Sequence, residues 1–405
     1  MTVTDSDIAQ ALAPIFSGGA ATVAERLHSY PDGVCRTELS GGARIWVVSR
    51  YEDVKRLLCD PRLDLNKHSS RAGYQGFGLP AALDANLLNL DGADHARLRR
   101  LVSSAFTARR VEGLADGIQG TAEALVDGFV CTGRADLLGD FAVLLPVIVI
   151  CDLLGIASEQ GEDLRAATQV MFAPDRRTPA ELAAALGRII SLLKSIVAAK
   201  REQPADDLLS AMIAARDGQD RLAEDELLSL AFLTLFAGYE NSVHLITGAM
   251  LRLLSEPGLA AAVLAEASPH TPAMERAVEE HLRLDQPVAT ALRRFPTEDI
   301  RVGATTIPAG DVVLLAISAA NVDPAVAGGR LGHLSFGQGV HYCLGAPLAR
   351  LEARIAIWTL MHQLPGLELA VPEDELLWKS GHRQRFLTGL PVRFTPQNSK
   401  SGRRA

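Results

Sequence analysis

The chain has 405 residues, 48% of them hydrophobic, and a formal net charge of −8. That much apolar material can bury a large core without disulfides. The acidic balance argues against nucleic acid as the main partner, because phosphate binding needs a basic surface. Aromatics are only 5% of the chain, and a composition led by alanine, leucine, valine and arginine favours helix over strand.

From the N-terminus, "MTVTDSDIAQALAP" lacks the basic-then-apolar order of a secretory signal. "GGARIWVVSR" predicts a strand after a Gly-Gly turn. From about residue 92 to 285 helical periodicity dominates, beginning with "DHARLRRLVSSAFTARRVEGLADGIQGTAEALVDGF". "PAELAAALGRIISLLKSIVAAKREQP" predicts a further helix stopped by its last proline. The apolar stretch "LLSLAFLTLFAGYENSVHLITGAMLRLL" is interrupted by Glu240, Asn241 and His244, so it predicts a buried helix, not a membrane span. "DIRVGATTIPAGDVVLLAIS" predicts a hairpin and "LPVRFTP" a short strand, while "PQNSKSGRRA" (396–405) predicts a disordered tail. No repeat or linker divides the chain, which predicts one large, mainly α domain over residues 1–395 with small β-sheets.

The five cysteines, Cys35, Cys59, Cys131, Cys151 and Cys343, are odd in number, scattered and without a C-x-x-C pair. A disulfide framework or zinc knuckle is excluded and a reducing cytoplasm expected. Cys343 stands apart in "FGQGVHYCLG", at the mouth of the helix "LGAPLARLEARIAIWTLMHQL". A phosphate loop needs a following Gly-Lys-Ser/Thr, which is missing. A nucleophilic thiol has His341 close by but no orienting acid or oxyanion hole in the sequence. A buried structural cysteine describes Cys151 better. A metal-binding thiolate fits the setting, since the helix N-terminus offers free N–H groups and a positive dipole end that lower a thiol pKa.

Residues 336–345 match, at every specified position, the haem-ligand signature F-G-x-G-x-H-x-C-x-G, and the chain thereby resembles the cytochrome P450 family, with further matches in order over about residues 45–395. The resemblance implies a soluble bacterial haem-thiolate monooxygenase that binds haem b (iron protoporphyrin IX) through Cys343 as the iron ligand. Phe336, Gly337 and Gly345 would shape the ligand loop. His95, Arg99, Arg294 and His341 would hold the haem propionates, with Arg293 the alternative to Arg294. Ala237 and Gly238 would belong to the distal helix above the haem, and Glu240, Asn241 and Ser242 to its proton-delivery group. Asn241 stands where the family carries threonine, and an amide cannot relay a proton as a hydroxyl does; proton delivery through ordered water, Ser242 or the substrate is the expectation.

By the same resemblance Glu280 and Arg283 form a buried structural ion pair. Its third partner is uncertain from the sequence because the segment at 322–333 is short, with Arg330 and His333 as candidates. Leu233, Val288, Ala289 and Leu387 would line the substrate pocket, together with parts of 70–90 and "ATQVMF". The pocket predicts a mid-sized, largely hydrophobic molecule of secondary metabolism, hydroxylated or epoxidised with O₂. No flavin or iron–sulfur segment is apparent, so a ferredoxin-type donor with its reductase is expected, steered by Arg97, Arg100, Arg109 and Arg110. Two alternatives stay open: oxidative coupling or cyclisation without oxygen insertion, and a haem- or ligand-binding protein without turnover.

Overall fold

The computed structural model describes residues 4–398 except 40–41, 75–82, 84–85, 157–159, 162, 165, 168–177, 218–221, 327–331 and 381–382. Helices α1 (Asp5–Leu12) and α2 (Ala20–His28) precede strands β1 (Val34–Glu38) and β2 (Arg44–Val48), which pair antiparallel. Helix α3 (Tyr51–Leu58) and strand β3 (Leu63–Asp64) follow. The first long helical stretch is three helices, α4 (Gly92–Ala105), α5 (Ala108–Glu112) and α6 (Ala115–Phe129). Phe106 leaves the helical region, and the Thr107 hydroxyl caps α5 by accepting from the Arg110 N–H. Strand β4 (Arg134–Asp136) and helix α7 (Leu144–Leu154) come next.

Helix α8 (Pro179–Glu202) starts at a capping box: the Thr178 hydroxyl accepts from the Glu181 N–H, and the Glu181 carboxylate accepts from the Thr178 N–H. Among the described residues it is the one helix apolar and long enough by composition to cross a membrane. It carries Arg188 and Lys194, however, and buries a stripe of Ala185, Ile189, Leu193 and Ile196 at helical spacing. Helix α9 (Leu208–Asp217) leads to α10 (Glu224–Ser255), which runs unbroken through the polar cluster at 240–242. The cluster does not break the helix, because Asn241 and Glu240 find partners without leaving it.

Most of α10 is buried, as is α7, and both are apolar nearly all round, the pattern of core helices. Helix α10 packs on α7 and on α14 (Ala346–Gln363), and α6 lies against both α7 and α14. Gly238 lets α7 come close: a Cβ there would stand 2.5 Å from Ile150 Cδ1. Between α10 and α14 lie α11 (Pro257–Leu264), α12 (Pro272–Leu284), β5 (Phe295–Pro296), the hairpin β6 (Ile300–Val302)–β7 (Thr305–Ile307), β8 (Val312–Leu315) and α13 (Ile317–Asn321). Strand β8 leaves the hairpin to pair parallel with β2, from Ile45↔Val312 to Val48↔Leu315. After α14, β9 (Glu368–Leu369), the hairpin β10 (Trp378–Ser380)–β11 (Arg385–Leu387) and β12 (Pro391–Arg393) complete the chain, with β12 between β4 and β9. The fold is mainly α with small sheets.

Asn321 ties α13 to the start of the cysteine loop. Its Oδ1 accepts from the Leu334 N–H at 2.7 Å and its Nδ2 donates to Ser335 Oγ at 2.8 Å. The Ser335 hydroxyl in turn donates to the Leu282 carbonyl on α12. Asn321 is buried, so Asn321→Ala leaves a buried N–H without an acceptor; we expect about 1–3 kcal/mol of lost stability in chemical denaturation.

Candidate functional site

The sulfur of Cys343 faces the N-terminal end of α14, where the nearby Gly345 and Ala346 N–H groups favour its thiolate form, and the Ala346 N–H donates to the Cys343 carbonyl at 3.4 Å. The Cys343 N–H donates to the Phe336 carbonyl at 2.9 Å, closing the loop on itself, and the Gly337 N–H donates to the Leu334 carbonyl. Gly339 has φ +74, and a Cβ there would press within 3.0 Å of Cys59 Sγ on the end of α3, so only glycine fits. Phe336 lies under the Arg350 guanidinium, 4.4 Å from ring centroid to Cζ.

Helix-terminal donors and the charges of Arg99 and Arg350 pull the Cys343 thiol pKa down, as the sequence suggests. Burial outweighs them, and the net direction is up. The sulfur nevertheless keeps accessible surface. Accessible and strongly desolvated at once, it looks into the interior of the molecule and not into bulk water. A bound cation deprotonates such a thiol outright.

The His95 and His341 rings meet at a 45° tilt with centroids 4.1 Å apart. His341 Nε2 and Asp91 Oδ1 are 2.7 Å apart, and the same Asp91 accepts from the Leu65 N–H through Oδ2. Asp91 is held well below the usual carboxylate range, by His341 first among its partners, despite its burial. His95 Nε2 is buried without a protein partner, and burial, with His341 and Arg99 near, pushes its pKa down to about 4. Arg294 is also buried with an unpartnered Nε; its backbone is pinned to Val313 by two 2.8 Å hydrogen bonds. Arg293 is turned elsewhere, stacking on Tyr74 at 5.0 Å and donating to Asn89 Oδ1. The Arg293 guanidinium is thereby committed at Nη2, although its Nε, like that of Arg294, is buried without a hydrogen bond among the described residues. Arg99, one helical turn after His95 on α4, donates to the Tyr342 carbonyl beside the cysteine.

On the inner helix, Leu233, Ala237, Glu240, Asn241 and His244 form a stripe with accessible surface along an otherwise buried α10. Burial raises the Glu240 carboxyl, partly offset by the Gln384 amide and the Arg383 charge. Gln384 Nε2 donates to Asn241 Oδ1 at 3.2 Å. Ser242 points the other way, into the core, toward α14. There it meets Glu352, whose side chain is fully buried and whose pKa is pushed up to about 8. Neither carboxyl oxygen has a well-formed hydrogen bond, so the hydroxyl approaches without satisfying the acid.

Glu280 and Arg283 do form a two-pronged ion pair, at 2.9 and 2.8 Å, but the side chains are 48% and 30% exposed. The expected burial is corrected: both residues lie on the rim of α12, not its buried stripe of Met274, Val278 and Leu282. Arg283 also donates to the Asn321 carbonyl. Arg330 lies outside the described residues, and His333 goes to Glu279 at 3.1 Å instead. Glu279 also binds Arg350 through Nε and Nη2, an interaction the sequence did not signal. The expected basic patch is partly neutralised, with Arg97 paired to Glu226 and Arg110 to Asp206. Of the expected pocket residues, Leu233, Val288 and Ala289 keep accessible surface, but Leu387 is buried in the core. Residues 75–82, 84–85 and 168–172 of the expected lining lie outside the described residues.

The cytochrome P450 family model matches residues 175–326. Cytochrome P450 107B1 of Saccharopolyspora erythraea is 38% identical over 378 residues, covering 89% of this chain and 92% of the relative. This chain belongs to the cytochrome P450 family. The mycinamicin IV hydroxylase/epoxidase of Micromonospora griseorubida is likewise 38% identical, over 89% of this chain and 92% of its own. The tirandamycin C-bound P450 monooxygenase TamI superposes with a TM-score of 0.81 at 35% identity, covering 98% of this chain and all of that one.

The protein is therefore an oxidoreductase, a P450 monooxygenase using protoporphyrin IX haem. The residues present fit that group. An accessible sulfur meets two backbone donors, and two buried cationic-type side chains, His95 and Arg294, hold donor atoms that no protein group uses.

Two expectations follow. Glu352 binds a proton in the folded state up to about pH 8 but in the unfolded chain only up to the ordinary glutamate range. Folding stability therefore falls as pH rises through that window, by about 1.4 kcal/mol per unit. Glu352→Gln, which keeps the neutral shape, flattens this dependence and is the more stable form at pH 8 in urea titrations. By contrast, Glu280→Ala costs about 1 kcal/mol or less, as a part-exposed pair should.

Proposed function

We propose that Cys343 would hold the haem iron of a monooxygenase acting on a mid-sized, largely hydrophobic small molecule of bacterial secondary metabolism. The observation that carries this is Cys343, exposed as a residue yet with a strongly desolvated thiol, at the N-terminal end of α14 where the Gly345 and Ala346 N–H groups favour a thiolate. Residues 1–395 form the haem-thiolate domain, and the protein works in the cytoplasm. The haem supplies oxygen activation, its thiolate ligand pushing electron density toward O–O cleavage. One atom of O₂ enters the substrate as a hydroxyl or epoxide and the other leaves as water, with two electrons and two protons consumed.

The chain's own residues bind, orient and deliver protons around that chemistry. Arg99 and Arg294, with His95 and His341, hold the two propionates by charge-assisted donation. Asp91 orients His341 from behind. Burial raises the Glu240 carboxyl above the ordinary glutamate range, which makes it the acid that hands on a proton along the accessible stripe. Ser242 and Glu352 form a second proton store on the core side, made of a hydroxyl and an acid whose pKa lies near the working pH. Both devices stand where a lost threonine hydroxyl would otherwise have to act, and they favour oxygen insertion over coupling.

Leu233, Val288 and Ala289 supply apolar contact with the substrate, and the substrate class follows the relatives, one acting on mycinamicin IV and one bound to tirandamycin C. A ferredoxin-type donor with its reductase supplies the electrons. The cysteine loop suits such a partner, for Val340 is 66% exposed and Tyr342 38%, and Arg109 on α5 is exposed too.

The test is the absorption spectrum of the dithionite-reduced protein under carbon monoxide. A strongly red-shifted Soret band in the wild type that is lost in Cys343→His supports thiolate ligation by Cys343. A histidine-type spectrum in the wild type, or a red shift that survives the substitution, overturns it. With a surrogate ferredoxin system, a product heavier by one oxygen supports insertion, and a product without it indicates coupling.

A further inference from the structure

Asn241 commits one end of its amide to the protein and leaves the other uncommitted. Its Oδ1 accepts from Gln384 Nε2 at 3.2 Å, which decides which way round the amide sits. Among the described residues no protein group accepts from Asn241 Nδ2. The residue is only half-buried and lies on the accessible stripe with Leu233 and Ala237.

Gln384 is itself well anchored. It forms an antiparallel bridge with Val288, and the Arg383 carbonyl before it accepts from the Ala289 N–H at 2.7 Å. Two residues on, Phe386 stacks on His244 with centroids 4.2 Å apart and planes 12° from parallel. Residues 384 and 386 share one face of a strand, and residues 241 and 244 share one face of a helix. The strand therefore lies along α10 and meets it at two successive points. The segment that carries Gln384 also holds the Val288–Ala289 wall.

We propose that Gln384 is a positioning residue that fixes the Asn241 amide with Nδ2 presented as a hydrogen-bond donor along the accessible face of α10, where the family carries a hydroxyl. This rests on the haem-thiolate reading above. A fixed NH₂ replaces the donating half of the missing threonine, while proton transfer falls to the acids on either side. Without Gln384 the amide is free to present its oxygen or its nitrogen.

The C–O stretching band of the reduced, carbon monoxide-bound holoenzyme reads this without turnover, because a donor to the bound ligand's oxygen lowers its frequency. Wild type, Asn241→Ala, Gln384→Met and the double variant are compared by infrared spectroscopy. We expect one narrow band in the wild type, displaced to higher frequency in Asn241→Ala. Gln384→Met should split the band or displace it in the same direction, and should add nothing in the Asn241→Ala background. Gln384→Asn, too short to reach, should behave like Gln384→Met and serves if the latter does not load haem. A Gln384 variant whose band coincides with the wild type overturns the proposal. So does an equal displacement in the Asn241→Ala background, which would be a packing effect. The Soret band of the same samples separates the two levels of inference: red-shifted Soret with an unmoved C–O band overturns the Gln384 role alone, while a wild type without the red shift overturns both.

Discussion

A thiol sulfur taken out of water and met by two backbone N–H groups is the constraint around which the site is arranged. Gly345 and Ala346 supply those donors because α14 begins there, and the glycine-rich turn from 336 to 342 brings the chain to that helix end. Burial still outweighs the donors, so the protein alone does not make a stable thiolate, and a cation must complete the balance. The surroundings follow from this. Arg99 and Arg350 flank the sulfur, and their own charges are tied down, Arg99 on the Tyr342 carbonyl and Arg350 on Glu279. A buried sulfur poised between thiol and thiolate needs neighbours whose charge does not wander.

The same economy governs the inner helix. Core helices tolerate polar groups only where each finds a partner or keeps contact with accessible space. Along α10 the polar residues divide accordingly. Glu240, Asn241 and His244 lie on the accessible stripe, with Gln384 or Phe386 against them, while Ser242 turns to the core. The His244 ring nitrogens are nevertheless buried without a hydrogen bond among the described residues, as are the carboxyl oxygens of Glu352 on α14, which survives by remaining protonated. A neutral acid facing a hydroxyl across two packed helices costs little desolvation and holds a proton in reserve.

Much of this was legible in the sequence because it is local. The cysteine loop, the His95–Arg99 pair one turn apart and the departure at Asn241 depend on spacing within a single element, and the chemistry of each could be argued from a few residues. Glu352 carried a signal too, a charge on the stripe of Leu348, Ile355 and Thr359 that α14 buries. What was not legible depends on elements distant in sequence. Glu280 was expected to be buried because an E-x-x-R spacing says nothing of which side of α12 faces α14; the buried stripe decides it, and it passes beside the pair. Gln384 meets Asn241 from 143 positions away, and no periodicity announces that. The sign of the Cys343 shift was missed for a related reason, since helix-end donors are visible in a sequence but the depth of burial is not.

The substitution at Asn241 shows how these levels combine. A threonine hydroxyl donates, accepts and relays from a single atom, so it needs no outside help to be oriented. An amide separates donor from acceptor by fixing them to different atoms, and which one is presented depends on what holds the other. The residue that replaces threonine therefore brings with it a requirement for a second residue, and the strand at 384–386 supplies it while also carrying the wall at Val288 and Ala289. Proton transfer, which the amide cannot perform, moves to acids whose carboxyl pKa is raised by burial. A one-residue change in the inner helix is thus read most fully not at that position but at its partner in the distant hairpin and at the acids on both sides of it.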